Sequence, residues 1–259
     1  MDTYTSAACM RAARWLGEAR RVAVLTGAGV SAESGVPTFR DAQTGYWAQF
    51  RAEDMASQPG FVAHPERVWR WYQHRRALVA AVQPNAGHLA LARWQQRHPG
   101  RLTLITQNVD GLHRRAGSEG VLCLHGELMA DRWLRPARPC CDLVRATAGE
   151  PPRCPGCSNL VRPAVVWFGE ALPADVLRQA GEAARGCELM LVVGTSGLVH
   201  PAAGLAHEAR RSGARVVIVN PEPTALDNVA DLCLAGPSAR LLPLLLEPGE
   251  PGESALIAA

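Results

Sequence analysis

Thr26-Gly-Ala-Gly-Val-Ser-Ala-Glu-Ser-Gly-Val-Pro-Thr-Phe-Arg-Asp41 follows directly on the apolar run Val22-Ala-Val-Leu25. A short buried strand therefore ends in a glycine-rich turn. Gly27, Gly29 and Ala32 fit the pattern G-x-G-x-x-G/A. In that pattern the first glycine makes a tight turn and the second lets backbone approach a pyrophosphate. Four further apolar runs end in polar or glycine residues: Leu102 to Thr106, Leu189 to Gly194, Val216 to Asn220 and Leu232 to Ala235. Helical patterns lie between them. In one, Asn85 to His98, Asn85 is placed to cap and Pro99-Gly100 to stop the helix. This alternation predicts an α/β fold, a doubly wound parallel (Rossmann-like) sheet with ligand chemistry at the carboxyl ends of its strands.

Length and composition narrow the classes. A chain of 259 residues, 47% hydrophobic, is long enough for one large domain or a domain with an insertion. Its 27 basic residues nearly balance 24 acidic ones and are scattered, so no footprint for nucleic acid is expected. Every basic residue apart from histidine is arginine; the chain has no lysine, and only its N-terminal amine can be acylated. The first 21 residues read as a helix, and no run approaches the roughly 20 apolar residues of a membrane span. Eight cysteines without a signal peptide argue for reduced thiols or metal ligation, so a cytoplasmic location is expected. Residues 42–83 and 129–160 break the strand-helix alternation and read as insertions, the second rich in proline, arginine and cysteine. Residues 1–246 then form one domain, and 247–259, with Pro-Gly-Glu-Pro-Gly, a frayed tail.

Polar groups gather after the strands. Gln107-Asn-Val-Asp110 follows one run, His125-Gly126 follows Val121-Leu-Cys-Leu124, and Gly194-Thr-Ser196 and Asn220-Pro-Glu222 follow two more. Dinucleotide dehydrogenases hold the ribose with an acid about 20 residues beyond the glycines; Asp41 comes too early. With Val165-Val-Trp-Phe-Gly-Glu170, these elements together resemble the sirtuin family of NAD-dependent protein lysine deacylases, from about Val22 to Pro237.

The resemblance implies NAD as a consumed co-substrate, lined by Gly27, Ala28, Gly29, Glu33, Thr38, Phe39, Arg40, Gln107, Asn108, Asp110, Gly194, Thr195, Ser196, Asn220, Glu222 and Ser238. It makes His125 the general base, with Asn108 and Asp110 helping to expel nicotinamide. An imidazole with a pKa near 6.5 suits a proton transfer at neutral pH. Val165, Val166, Phe168 and Gly169 fall where the family pairs an acylated-lysine peptide as an added strand. Mono-ADP-ribosyl transfer or NAD hydrolysis from the same pocket, and NAD binding without turnover, are the rival readings.

Two features depart from a plain deacetylase. Val68, Trp71, Tyr72, Leu78, Val79 and Val82 share one face of a helix, and Arg75 lies on that face. Its guanidinium needs an internal carboxylate, solvent or an acidic ligand. Tyr72-x-x-Arg75 matches the branch of the family that removes succinyl, malonyl and glutaryl groups, with Ala42 leaving room for the longer acyl chain. Relatives also hold a zinc with two Cys-x-x-Cys pairs. Here Cys154-Pro-Gly-Cys157 matches one, while Trp133 and Pro136 stand near the other and Cys140-Cys141 come later. Side chains adjacent in an extended chain point apart, which predicts three sulfurs, since only one of Cys140 and Cys141 would join. A rebuilt zinc site and a decayed one held by Trp133 and prolines both fit.

Overall fold

The computed structural model describes residues 3–37 and 51–247, with backbone alone for residues 3–6, 52 and 53. Its strands are β1 (Val22–Thr26), β2 (Leu102–Thr106), β3 (Leu122–Cys123), β4 (Gly126–Trp133), β5 (Val161–Val165), β6 (Leu189–Val193), β7 (Arg215–Asn220) and β8 (Leu232–Ala235). Six of them make one parallel sheet in the order β3-β2-β1-β6-β7-β8. The order reverses direction on either side of β1, which opens a crevice at the carboxyl ends of β1 and β6. The apolar runs are continuous because both faces are covered: all of Val22–Thr26 and Leu189–Val193 is buried.

Alternation along β1 assigns the two faces. Val22 and Val24 point into a core with Leu16, Leu91, Trp94 and Leu242, contributed by helices α1 (Thr3–Glu18), α6 (Ala86–Arg97) and α10 (Ser238–Leu246). Ala23 and Leu25 point the other way, against Ala180, Ala184, Leu205 and Ala206 of α8 (Ala174–Gly186) and α9 (Gly204–Arg211). At the start of α6 the side chain of Asn85 accepts from the Gly87 N–H at 3.0 Å and closes a capping box with His88.

A third core lies outside the sheet. Helices α3 (Ala52–Met55), α4 (Gln58–Ala63) and α5 (Pro65–Ala81) pack Met55, Phe61, Val68, Trp71, Tyr72 and Val79 against Leu128, Val165 and Trp167. These last three come from an antiparallel ribbon of β4 and β5 and the loop after it. Met129, where the sequence reading opens the cysteine-containing insertion, therefore lies within a strand. Arg76 fastens α5 to the ribbon where its register shifts, donating from Nε to the Leu128 carbonyl at 2.7 Å and from Nη2 to the Ala130 carbonyl at 3.0 Å. Leu78, expected on the apolar face of α5, is 40% exposed instead, the buried residues of the helix being Val68, Trp69, Trp71, Tyr72 and Val79. Glu247, read as the start of a frayed tail, receives Arg93 Nη2 at 2.8 Å and Arg97 Nη2 at 3.3 Å.

Candidate functional site

The glycine turn after β1 is locked to the turn after β6. Gly27 donates to the Val193 carbonyl at 2.9 Å and Gly29 to the Gly194 carbonyl at 2.8 Å. A Cβ on Gly29 would lie 2.8 Å from Gly194 Cα, and one on Gly194 only 2.4 Å from the Val30 nitrogen. The absence of side chains at Gly27, Gly29 and Gly194 is thus required by backbone against backbone, before any ligand approaches. Gly194, expected to end the strand, lies beyond it with φ +60°.

Below this turn lies a buried polar network. Asn108 donates from Nδ2 to the Gly27 carbonyl at 3.0 Å and to Ser31 Oγ at 3.1 Å. Ser31 in turn donates to Asp110 Oδ2 at 2.8 Å, and the other carboxylate oxygen accepts the Leu112 N–H at 2.8 Å. His88 Nδ1 accepts the Asn85 N–H at 3.3 Å, so its Nε2 is the donor toward Ser31 Oγ, also at 3.3 Å. One hydroxyl therefore uses its single hydrogen and both lone pairs. Burial raises the pKa of Asp110, and the Leu112 and Ser31 hydrogen bonds oppose that rise. Burial also keeps two imidazoles neutral, lowering His88 to about 4 and His113 to about 3. His113 meets Thr26 Oγ1 at 2.9 Å and stands 4.8 Å from the His88 ring, deep in the fold.

Neither Ser31 nor His88 was singled out in the sequence. The only available signal was Ser31 sitting four residues after Gly27, at the first turn beyond a glycine-rich loop.

His125 sits where the chain leaves β3 for the ribbon. Its Nδ1 lies 2.8 Å from the Gln107 carbonyl, an acceptor only, so Nδ1 carries the hydrogen and Nε2 holds the free lone pair. Burial lowers its pKa, with the Gln107 bond pulling the other way. Gln107 donates from Nε2 to Thr195 Oγ1 at 3.1 Å, joining the ends of β2 and β6. Gln107, Asn108, Asp110, His125, Gly194 and Thr195 are in this way held in one bonded assembly at the strand ends.

Other expected contacts are engaged elsewhere. Glu33 Oε1 accepts Ser238 Oγ at 3.3 Å and the Ala239 N–H at 2.8 Å, so the expected pair of cofactor contacts caps α10. Asn220 donates to the Glu222 carbonyl at 2.6 Å, and Ser196 is exposed with its carbonyl accepting the Ala225 N–H at 3.0 Å. Ala28 is exposed at the tip of the turn. Thr38, Phe39, Arg40 and Ala42 lie outside the described residues.

On the ribbon side, Val166 donates to the His125 carbonyl at 2.8 Å and Phe168 to the Ala56 carbonyl at 2.8 Å. Val165 is buried, whereas Phe168 and Gly169 are exposed. Tyr72 OH accepts Trp167 Nε1–H at 2.8 Å, and burial pushes its pKa up to about 12, so it remains a phenol. Arg75 stands one turn on, its Cζ 5.0 Å from the Trp71 ring centroid. Burial lowers its pKa, and the nearby Tyr72 hydroxyl and Asp110 carboxylate oppose that.

The sequence expectation of three converging sulfurs is overturned. Sγ atoms of Cys140, Cys141, Cys154 and Cys157 all lie within 4.8 Å of one another. The reason is local: Cys141 N–H donates to the Arg138 carbonyl at 2.8 Å, so the two neighbours sit in a turn rather than an extended strand. Four thiolates at about 2.3 Å around zinc stand about 3.8 Å apart. The tetrad fits such an ion, with Cys141 and Cys157 already 3.5 Å apart.

Known proteins agree with this geometry. A model described as the Sir2 family matches residues 27–201. An NAD-dependent protein deacylase of Ralstonia nicotianae is 55% identical over 241 residues, covering 93% of this chain and 97% of that protein. Among solved structures, a Sir2 homologue in complex with NAD is 40% identical with a TM-score of 0.81, covering 92% of each chain. Sir2 bound to acetylated peptide is 32% identical with a TM-score of 0.78, covering 90% of this chain and 95% of that one. A family match over these residues, on a sheet of this order with the polar assembly at its strand ends, places the chain in the Sir2 family.

Proposed function

We propose that this Sir2-family NAD-dependent protein deacylase removes acidic acyl groups, succinyl, malonyl and glutaryl, from lysine, and acetyl groups as well. The observation that carries the reading is the placement on α5 of the buried Tyr72 and, three residues on, of Arg75, whose Cζ lies 5.0 Å from the Trp71 ring centroid. A guanidinium offers a two-pronged donor and a phenol one more, which together match a carboxylate. The burial of Tyr72 makes such bonds stronger than they would be in water.

In this reading the acyl oxygen attacks the ribose carbon that carries nicotinamide, and the bond to nicotinamide breaks. His125 Nε2 takes the proton of a ribose hydroxyl, and water completes the transfer to give free lysine and O-acyl-ADP-ribose. Asn108 and Asp110, held by Ser31, line the departing ring. The neutral, singly protonated His125 ring favours deacylation over simple NAD binding. Gln107, Thr195 and the glycine turn belong to the NAD pocket, Val165 to Gly169 to the peptide groove, and the cysteine tetrad to a structural zinc. Eight thiols without a disulfide suit a reducing, cytoplasmic setting. Among the described residues no helix is long and apolar enough to cross a membrane.

The test is Arg75→Met assayed with NAD and matched succinyl- and acetyl-lysine peptides. Two charge-assisted bonds, each on the order of 1.5–3 kcal/mol, predict a loss of roughly a hundredfold or more for succinyl relative to acetyl. Equal loss for both peptides overturns the acyl preference, and no nicotinamide release from the native protein overturns the activity.

A further inference from the structure

Trp167 is among the largest fully buried side chains of the described residues and packs beside α5. Its backbone N–H donates to Glu170 Oε2 at 2.9 Å. Its ring lies under the guanidinium of Arg162, whose Cζ is 3.2 Å from the ring centroid, and against Phe61 at 5.2 Å. Arg162 is itself fully buried and fixed by Glu170 and by the carbonyls of Val165 at 2.6 Å and Pro163 at 3.2 Å. Burial works to raise the Glu170 pKa, but the hydrogen bonds from Arg162 and the Trp167 N–H and the charges of Arg162 and Arg132 together outweigh it and hold the carboxyl below its usual value, so the pair is ionised. All these restraints aim one group: the indole N–H, which points at the hydroxyl of Tyr72.

An indole N–H is a donor and never an acceptor. Tyr72 must therefore accept from Trp167, and its own hydrogen has to go to a different partner, which must be an acceptor. Among the described residues no acceptor takes it. A cation resting on the indole face draws density from the ring and strengthens the N–H as a donor, and chained hydrogen bonds polarise one another.

We propose that Trp167, braced by Arg162 and Glu170, is a positioning residue for acyl selectivity: it occupies one lone pair of Tyr72 and commits the phenolic hydrogen to an acyl carboxylate. This rests on the acidic-acyl reading of Tyr72 and Arg75. An acetyl group, which ends in a methyl, gains nothing from that commitment, so the effect is selective.

The experiment compares native protein, Trp167→Phe, Tyr72→Phe and the double variant on succinyl- and acetyl-lysine peptides at saturating NAD. Phenylalanine keeps an aromatic face for Arg162 and removes only the N–H and part of the ring. The ratio of succinyl to acetyl kcat/KM is expected to fall about tenfold in Trp167→Phe, mostly through KM, as for one hydrogen bond lost. The double variant is expected to match Tyr72→Phe alone, because Trp167 acts through that hydroxyl. A preference lost in Tyr72→Phe but intact in Trp167→Phe, or additive losses in the double variant, overturns the inference alone. A native enzyme without a succinyl preference overturns the acyl reading and this inference together. Should Trp167→Phe not fold, the native protein still decides. The indole N–H resonance that shifts in Tyr72→Phe is expected to move when succinyl-lysine peptide is added and not with acetyl-lysine; no difference between the two overturns the inference.

Discussion

His125 Nδ1 donates to the carbonyl oxygen of Gln107 at 2.8 Å, and that bond decides which ring nitrogen can act as a base. Gln107 is in turn tied to Thr195, so the imidazole is oriented through two strand ends rather than by its own loop. The hydrogen is confined to the buried side of the ring, and Nε2 keeps its lone pair.

The acid limb of the rate profile follows from this. Burial lowers the His125 pKa from the ordinary 6.5, so the neutral base survives to lower pH than a free imidazole would. The kcat/KM for acetyl-lysine peptide should hold below pH 6.5 and fall with a midpoint beneath it. A midpoint at or above 6.5 contradicts the geometry. His125→Ala should cost about 10²–10⁴-fold in rate at pH 7.5.

Stability has its own pH dependence, set by other histidines. His88 and His113 have folded pKa values of about 4 and about 3, below the 6.5 of an unfolded chain. The unfolded state then binds protons first, so the stabilisation is fully present above pH 6.5 and is lost as pH falls toward about 4 for His88 and about 3 for His113. For His88 alone this is on the order of 3 kcal/mol. Asp110, with its pKa raised by burial, opposes the loss. Melting temperature should drop between pH 6.5 and 4, and His88→Gln should be less stable at pH 7.5 with a flatter profile. A variant as steep as the native protein would refute this account.

Ser31→Ala removes the donor to Asp110 and the acceptor for Asn108 and His88 in one change. Loss of a bond to a buried carboxylate, about 1.5–3 kcal/mol, predicts a decrease in nicotinamide release of roughly 10- to 150-fold. A loss below threefold would show that Asn108 and Asp110 hold their places without it.

Gly29→Ala should disrupt the fold before it disrupts binding. The new Cβ would lie 2.8 Å from Gly194 Cα, and neither strand end can move without breaking the Gly29 bond to the Gly194 carbonyl. Overpacking of this kind costs about 1–3 kcal/mol. Thermal denaturation without NAD should show the loss; an unchanged melt with weakened NAD binding would return the glycine to a ligand-approach role.

Metal content distinguishes four sulfurs from three. About one equivalent of zinc is expected, and Cys140→Ser and Cys141→Ser should each reduce it severely, since both sulfurs join the tetrad. Full zinc in either variant would restore the three-sulfur reading.

These particulars show where sequence is informative. Val22, Leu102, Leu189 and Val216 announced their strands because a sheet covered on both faces demands unbroken apolar runs. Asn108, Asp110 and His125 stood at strand ends, where an open sheet gathers its ligand groups. The cysteine geometry was hidden, since a turn over Arg138–Cys141 leaves no periodic signal. Ser31 and His88 were hidden differently: their bonds to each other, to Asp110 and to Asn108 join residues 57 to 79 positions apart, a partnership that no local pattern marks. Trp167 had the same disadvantage, its hydroxyl partner lying 95 positions away.

The tie between Glu33 and the start of α10 also orders events in time. Glu33 belongs to the first loop of the sheet, yet its carboxylate is satisfied by the Ala239 N–H, 206 positions later. Gly27 and Gly29 likewise dock on residues beyond Val192. Contacts of such sequence separation form late in folding, because the closure of long loops precedes any gain from them. In a growing chain the glycine turn therefore stays unbuttressed until β6 has been made, and Glu33 until the start of α10.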